Sequence, residues 1–491
     1  MSLTDRIGAR FRAEFASQLL VMASGGLLTV ILARLLGPDD YGLLFLAIAV
    51  FGALSIFSKL GLAKSGARYV AEYKERDPGQ IPHILRVALG YNAAIIVIVG
   101  AALLVGHRQL AEYIGEPSLT PFLLLGVLYL AVEALKTYVR LMLQGFEEIE
   151  LSATVNALDR GTRLVFAIGF VLLGFGALGA LGGYILGYGI ASIVGLVVIY
   201  RRFYRVQDVA ASIEDGLRRR IGSYAVPLTA TSTANVLDKR VDTILIGVFL
   251  TPVAVSYYTV SKQLVEFVQT PVSALGFTLS PTFGSEKADG NVDRASRIYE
   301  EALVHSLLLY VPIAAGIVLV AEPTVELLFG TDYLGAVPVL QILGLYAILQ
   351  AVTKITSNGL DYLGRAKERA IVKGTTAGLN VVLNVVLIPT MGVVGAAIAT
   401  VVTYSLYTLA NVFIIHQEFD LRIGYILGRL ALIVSVTAAM AAVVYFAVDF
   451  VVGPVTLGVV VALGVAIWGV LSVLTGLLDV QKIARLSSAS S

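Results

Sequence analysis

Residues 15–36 read FASQLLVMASGGLLTVILARLL; Gly37-Pro38-Asp39-Asp40 follows, and a second apolar run occupies 41–60. A helix needs about 20 consecutive, mostly apolar residues to cross the hydrocarbon core of a bilayer. The first run has that length and carries a single charge, Arg34, near its end. Although Arg6, Arg10 and Arg12 precede it, the run is too long for a signal-peptide core. It reads as an uncleaved first span, and the Gly-Pro step as the loop to a second.

Carried along the chain, the same reading finds runs near 83–105, 120–142, 153–173 and 180–200. After a charged segment from Arg201 to Arg220, further runs lie near 222–250, 253–281, 298–320, 336–360, 369–389, 392–415, 424–448 and 454–478. Composition agrees, since 57% of the 491 residues are hydrophobic and 14% are charged, against about 45–50% and about 25% in soluble domains. Barrel strands would alternate apolar and polar residues, whereas these runs are continuous. The expected fold is an all-α polytopic membrane protein with about 14 transmembrane helices.

Several chemistries fall away. With Lys+Arg 36 against Asp+Glu 34, the net charge of +2 gives no broad footprint for nucleic acid. The absence of cysteine excludes disulfides, thiolate metal sites and thiol nucleophiles. His83, His107, His305 and His416 are scattered singly, without the spacing of a zinc site. Gly174, Gly176 and Gly179 spell G-x-G-x-x-G, yet they fall between two predicted spans with no strand before them, so a tight turn and close helix packing explain them. There is no G-x-x-x-x-G-K-[ST] motif. No catalytic residue, metal or cofactor is expected, and any energy input comes from a gradient or from the substrate.

Charge placement sets the orientation, because cytoplasmic loops retain Lys and Arg. One set of segments holds Arg6/Arg10/Arg12, Lys64/Arg68/Lys74/Arg76, Arg201 to Arg220, Lys287/Arg294/Arg297, Arg365/Lys367/Arg369 and Lys482/Arg485. The alternate loops hold almost none: Arg108 alone in 106–119, and only acids in 321–335. Both termini are expected to be cytoplasmic, and the Arg201–Arg220 segment to be a solvated connector touching anionic lipid.

The halves resemble one another. Leu36-Gly37-Pro38 matches Leu250-Thr251-Pro252 at an offset of 214, and Gly176-Ala177-Leu178-Gly179-Ala180 matches Gly392-Val393-Val394-Gly395-Ala396 at an offset of 216. Gly145 with Gly364 gives 219. Six spans per copy makes this a parallel repeat, which usually encloses a central site. The expected organisation is a six-helix lobe at 1–200, a basic linker at 201–220, a second six-helix lobe at 221–420, two additional spans at 421–478 and a tail at 479–491.

Ionisable side chains at membrane depth face the bundle interior or a water-filled cavity. Thr231, Asn235, Asp238 and Asp242 fall on one helical face, flanked by Lys239 and Arg240; Lys262, Glu266, Gln269 and Ser273 repeat the spacing, as do Gln350, Lys354, Ser357 and Asp361. A fourth stripe holds Tyr129, Glu133, Lys136 and Arg140, and a fifth Asn156, Asp159 and Arg163. Two readings stand: interhelical ion pairs that lock the bundle, or the lining of a hydrated cavity. For Arg140, Arg163 and Asp361, near the inner ends, and also for Lys59 and Arg86, snorkelling to the headgroups competes. Pro227, Pro271 and Pro312 mark hinges or static kinks.

The run Leu32-Ala33-Arg34-Leu35-Leu36-Gly37-Pro38-Asp39-Asp40-Tyr41-Gly42 resembles the opening signature of polysaccharide-biosynthesis membrane proteins, the O-antigen flippase-like branch of the multidrug/oligosaccharidyl-lipid/polysaccharide (MOP) exporter superfamily. Val241-Asp242-Thr243-Ile244-Leu245-Ile246-Gly247 and Gly392-Val393-Val394-Gly395-Ala396-Ala397 are similar to that family's seventh span and to the start of its twelfth. The resemblance implies two six-helix lobes around a central cavity plus two C-terminal spans. It also implies translocation of a polyprenyl phosphate- or pyrophosphate-linked oligosaccharide across a prokaryotic cytoplasmic membrane by alternating access, for surface polysaccharide or glycoprotein assembly. An excess of Arg over Lys, 25 to 11, fits such a source.

In that setting Arg34, Lys59, Lys239, Arg240, Lys262 and Lys354 are the substrate-binding candidates, and Glu133, Asp238, Asp242 and Glu266 tune the cavity or carry coupling ions. The partners implied are the lipid-linked oligosaccharide, membrane lipids, and glycan polymerase or ligase machinery. The competing reading is a proton- or sodium-coupled multidrug exporter of the same superfamily, with the acids as the site. A membrane enzyme acting on the same lipids would need a sizeable outer loop, and the loops are short.

Overall fold

The computed structural model describes residues 3–59, 61–206, 208–269, 283, 285, 286 and 289–478; the side chains of 3–23, 58, 59, 227, 228 and 230–238 lie outside that description. Within it the chain is helical throughout, in two compact units, Met1–Ser256 and Tyr257–Ser491. Ten helical segments among the described residues are long and apolar enough to cross a membrane. Two of them, Ser24–Phe57 and Ile149–Tyr204, each hold two of the expected runs. The protein is an all-α multi-pass membrane protein.

The N-terminal unit begins with α1 (Leu3–Lys59), two helical stretches meeting at Gly37 (φ 73°, ψ 173°). Pro38 cannot donate a helical N–H and pushes the residue before it out of the α region, and glycine meets that demand with a positive φ. The chain continues through α2 (Leu62–Arg76), α3 (Ile81–Ile114), α4 (Thr120–Gly145), α5 (Ile149–Phe170), α6 (Gly176–Ile199) and α7 (Leu217–Phe249). Helix α2 is too short to cross a bilayer and is amphipathic, burying Ala63, Tyr69, Val70 and Tyr73 against α3 and α4. The helix α8 (Pro252–Val268) starts beside α1, where a Cβ on Gly42 would lie 1.7 Å from the Pro252 carbonyl oxygen.

The C-terminal unit contains α9 (Val292–Leu319), the short α10 (Ala321–Phe329), α11 (Val337–Tyr362), α12 (Ala366–Met391), α13 (Val393–Phe419), α14 (Ile423–Ala447) and α15 (Pro454–Leu474). Helices α9, α11, α12 and α13 form its packed body, and α14 lies on α9 with α15 beyond it. Pro312 sits buried inside the continuous α9. Pro271 lies outside the described residues, as does the side chain of Pro227.

Certain turns in the two units have the same geometry. After α4, Phe146 N–H bonds to Met142 O (3.0 Å), Glu148 N–H to Leu143 O (2.9 Å), and Glu147 is left-handed (φ 64°). After α11, Leu363 N–H bonds to Gly359 O (3.0 Å), Arg365 N–H to Leu360 O (2.9 Å), and Gly364 is left-handed (φ 81°). The residue that shares the turn geometry of Gly364 is thus Glu147 and not Gly145, which is helical. Gly145 is small for another reason: a Cβ there would lie 2.5 Å from the Ala67 carbonyl oxygen of α2. The turns before α6 and α13 agree too, with Gly176 at φ 54°, ψ −146° and Gly392 at φ 64°, ψ −149°.

Candidate functional site: a charged core in the N-terminal unit

Helix α6 carries glycine at 179, 183 and 187, a spacing that lets two membrane helices approach backbone to backbone. A Cβ on Gly183 would lie 2.2 Å from Ala167 N, and one on Gly187 2.8 Å from Arg163 Cβ, so α5 fills the groove. This close approach brings the polar face of α5 between α4 and α6. Gly179 serves the same stripe at its outer end, against Phe175 and Phe170. The G-x-G-x-x-G glycines are therefore turn and packing residues.

At the centre Asp159, 0% exposed, receives Lys136 of α4 at 2.5 Å and Arg163 Nη2 at 3.7 Å, both on the Oδ2 oxygen. Arg163 Nη1 donates to the Tyr188 hydroxyl at 3.3 Å. Its guanidinium also lies over the rings of Tyr184 (4.9 Å) and Tyr188 (5.3 Å), and Lys136 lies 5.1 Å over Tyr188. Arg160 is half-buried on the same helix, and a Cβ on Gly25 of α1 would be 3.8 Å from its Nη1. Arg163, expected among residues that could reach headgroups, is 6% exposed and turned inward. Asp361 does sit at the surface, bound by Arg369 Nε at 2.8 Å.

The sequence-derived candidates distribute between the units. In the N-terminal unit Arg34 and Lys239 are exposed, Arg240 and Glu133 half-buried, and Asp242 buried at 1%. Arg240 packs on α1, where a Cβ on Gly52 would meet its Nε at 2.7 Å. In the C-terminal unit Lys262 is half-buried over the Tyr258 ring (5.3 Å), Lys354 is half-buried on α11, and Glu266 is exposed. The side chains of Lys59, Thr231, Asn235 and Asp238 lie outside the described residues, as does all of Ser273. Arg160 and the role of Lys136 as partner to Asp159 escaped the sequence reading. The i, i+4 pair Asp159/Arg163 beside a tyrosine pair at the same spacing, Tyr184/Tyr188, was the available signal.

The C-terminal unit has a different polar core. Tyr299 bonds Thr356 (2.9 Å), Thr353 bonds Thr408 (2.7 Å), Tyr258 bonds Thr400 (3.1 Å) and Asn380 donates to Thr403 (3.3 Å). These groups are neutral, and each threonine hydroxyl can also turn back to a carbonyl of its own helix, as Thr356 does to Val352 O at 2.7 Å.

The Arg201–Arg220 segment is tied down against the turn that precedes α3. Ala210 N–H bonds to Gly79 O (3.0 Å), Gln80 Nε2 to Ser212 O (3.1 Å), and Glu214 N–H to Gln80 Oε1 (3.0 Å). Arg86 donates to the Tyr204 hydroxyl. The Glu214 carboxylate accepts from Tyr73 (2.5 Å) and Arg220 (2.6 Å), and these bonds hold its pKa below the usual carboxylate range. Arg201, Arg202, Arg205, Arg218 and Arg219 remain exposed.

The chain is similar to known proteins over nearly its whole length. The sequence profile of polysaccharide biosynthesis proteins matches residues 13–286, and that of the lipid II flippase MurJ matches 162–466. A relative from Haloferax volcanii, described as a probable low-salt glycan biosynthesis flippase, Agl15, is 24% identical over 80% of either chain. Among solved structures, lipid II flippase MurJ in an inward closed conformation superposes with a TM-score of 0.75 at 16% identity, covering 94% of this chain and 97% of that one. An inward-facing multidrug-resistance MATE transporter of the MOP superfamily gives 0.66 at 16% identity, covering 81% and 95%. With a profile match across more than half of its length, this chain belongs to the polysaccharide biosynthesis protein family.

Proposed function

We propose that the protein is a flippase that carries a polyprenyl phosphate- or pyrophosphate-linked oligosaccharide across the cytoplasmic membrane of a prokaryote by alternating access. The observation that carries this reading is the pair of overlapping profile matches, polysaccharide biosynthesis protein and lipid II flippase, which together run from residue 13 to residue 466. A lipid-linked glycan has an anionic phosphate linkage, and cations in a low-dielectric site bind such a group strongly. Arg34, Lys59, Lys239, Arg240, Lys262 and Lys354 are proposed to serve it, with Glu133, Asp238, Asp242 and Glu266 tuning the site or carrying the coupling ion. Both termini are proposed to be cytoplasmic, and glycan polymerase or ligase machinery to receive the product. The corresponding turn geometries in the two units support the proposed duplication.

Lectin labelling of lipid-linked oligosaccharide on the outer leaflet tests the reading. Cells lacking the protein are expected to lose the outer signal and accumulate undecorated glycan inside. Restoration by wild type but not by the double variant Arg240→Gln/Lys262→Gln, at equal membrane levels, is expected. Unchanged glycan display with new sensitivity to cationic dyes would instead favour the multidrug exporter.

A further inference from the structure

Buried and half-buried cations outnumber acids locally in the N-terminal unit. Lys136, Arg160 and Arg163 share the α4–α5–α6 core, and the acids there are Asp159 and, on the same face of α4, Glu133. Both contacts to Asp159 fall on Oδ2. Among the described residues the buried Oδ1 accepts no hydrogen bond, and the buried Nε groups of Arg160 and Arg163 donate none. A guanidinium has five N–H donors in a fixed fork, and burying them unmet is costly. A cluster built only to lock helices together would turn both carboxylate oxygens to those donors. Here one oxygen holds two cations while donors on α5 stay unspent. The tyrosine rings grip Arg163 by its face, which leaves edge N–H groups available.

We propose that Lys136, Arg160 and Arg163 form a phosphate subsite inside the N-terminal unit, with Asp159 as a resident counter-ion that a phosphate or pyrophosphate anion displaces. A tetrahedral anion presents several acceptor oxygens, suiting two arginine forks and a lysine better than one oxygen of a fixed carboxylate does. Displacement also makes the site switch-like: empty, Asp159 holds α4 and α5 together; filled, the ligand does. The inference deepens the transport reading and rests on it for the anion's source, the phosphate linkage of a carrier lipid.

Calorimetric titration of the full chain, reconstituted in phosphatidylcholine nanodiscs, with inorganic pyrophosphate tests the subsite. Wild type is expected to bind, Arg160→Gln to weaken binding at least tenfold, and Asp159→Asn to tighten it severalfold, because the competing carboxylate is gone. Arg160→Gln leaves the Lys136–Asp159 pair intact, so its loss of affinity is read on a folded protein, checked by an unchanged unfolding temperature without ligand. Absent binding in wild type, or affinities within twofold of wild type in both variants, overturns the proposal. Loss of pyrophosphate binding when phosphatidylglycerol replaces phosphatidylcholine would assign the site to a bulk lipid headgroup and overturn the link to substrate. Binding needs no translocation, so a chain that binds through Arg160 in cells whose glycan display never depended on it keeps the subsite and loses the flippase reading.

Discussion

The two units hold a matching tyrosine pair in opposite electrostatic settings. Tyr129 and Tyr188 meet edge to face at 5.4 Å in the N-terminal unit, and Tyr346 and Tyr404, their counterparts under the proposed duplication, do so at 4.7 Å in the C-terminal one. A lysine stands over the second ring in both, Lys136 over Tyr188 at 5.1 Å and Lys373 over Tyr404 at 5.0 Å, but from α4 in one case and α12 in the other. Around the first pair lie Asp159 and Arg163. In their places the second unit has Thr376, bonded to its own Val372 carbonyl (2.9 Å), and Asn380. Shape residues keep helix contacts alike while the polar filling diverges.

The sharpest way to break this contrast is to empty each core. Asp159→Leu removes the partner shared by Lys136 and Arg163, and removing one partner of a buried ion pair costs about 3–5 kcal/mol. Thr376→Ala removes a hydroxyl that turns back to carbonyls of its own helix, and such a bond contributes little to stability. Unfolding of the two purified variants in one detergent should show that order. Comparable losses would mean that the N-terminal charges are no more committed to stability than the C-terminal hydroxyls.

A smaller effect is expected from packing. Gly183→Ala drives a methyl group to 2.2 Å from the α5 backbone, where nothing flexible can yield. Overpacking of this kind typically costs about 1–3 kcal/mol. Gly378→Ala in α12 has nothing within 4 Å of the new Cβ and should be neutral or slightly stabilising, since alanine is the better helix former. If both variants melt like wild type, the α5–α6 approach is looser than the glycine stripe requires.

These examples show how far the sequence carries. The runs that coincide with the ten membrane-length segments, and the break at Gly37, were legible because hydropathy and the Gly-Pro step act locally. The residue that shares the turn geometry of Gly364 was not, since Glu147 adopts a left-handed conformation that its residue type does not advertise. Nor was the partner of Asp159: spacing puts Asp159 and Arg163 on one face, but only the α5–α6 approach decides that Lys136 of a third helix meets them. The inward turn of Arg163 likewise depends on two tyrosines supplied by another helix.

A third comparison lies at the helix ends. Glu148 pairs with Arg202 at 3.3 Å, and Arg365 and Glu418, their counterparts under the proposed duplication, pair at 2.5 Å. The proposed duplication thus places the two pairs in register with their signs exchanged. Glu148→Arg or Arg202→Glu alone should cost about 0.2–1 kcal/mol, as exposed pairs do, and the double reversal should recover it. A double-mutant cycle gives the coupling directly, and a double variant no better than the singles would show that the exchange reflects different surroundings.

The mildest effect concerns how each unit ties down the next helix with a glutamate. Glu300, buried in α9, accepts from Arg422 N–H (2.7 Å) and Nε (2.8 Å) just before α14, whereas Glu214 stands nearer solvent and binds Tyr73 and Arg220 at the start of α7. Hydrogen bonds from Tyr73 and Arg220 lower the Glu214 pKa. A carboxylate whose pKa is lower folded than unfolded contributes stability above its unfolded value, and that contribution disappears as pH falls through the folded one. Amide-exchange protection at Ala210 and Glu214, corrected for intrinsic rates, should therefore hold from pH 7 to about 5 and decline below about 4, an unfolded glutamate titrating near 4.3. Arg220 keeps its charge throughout, its pKa being raised by the same Glu214 contact, so the carboxylate alone sets the window. Glu214→Gln should lower protection at neutral pH and flatten its acid dependence; a variant with the wild-type pH profile would place the titrating group elsewhere in the connector.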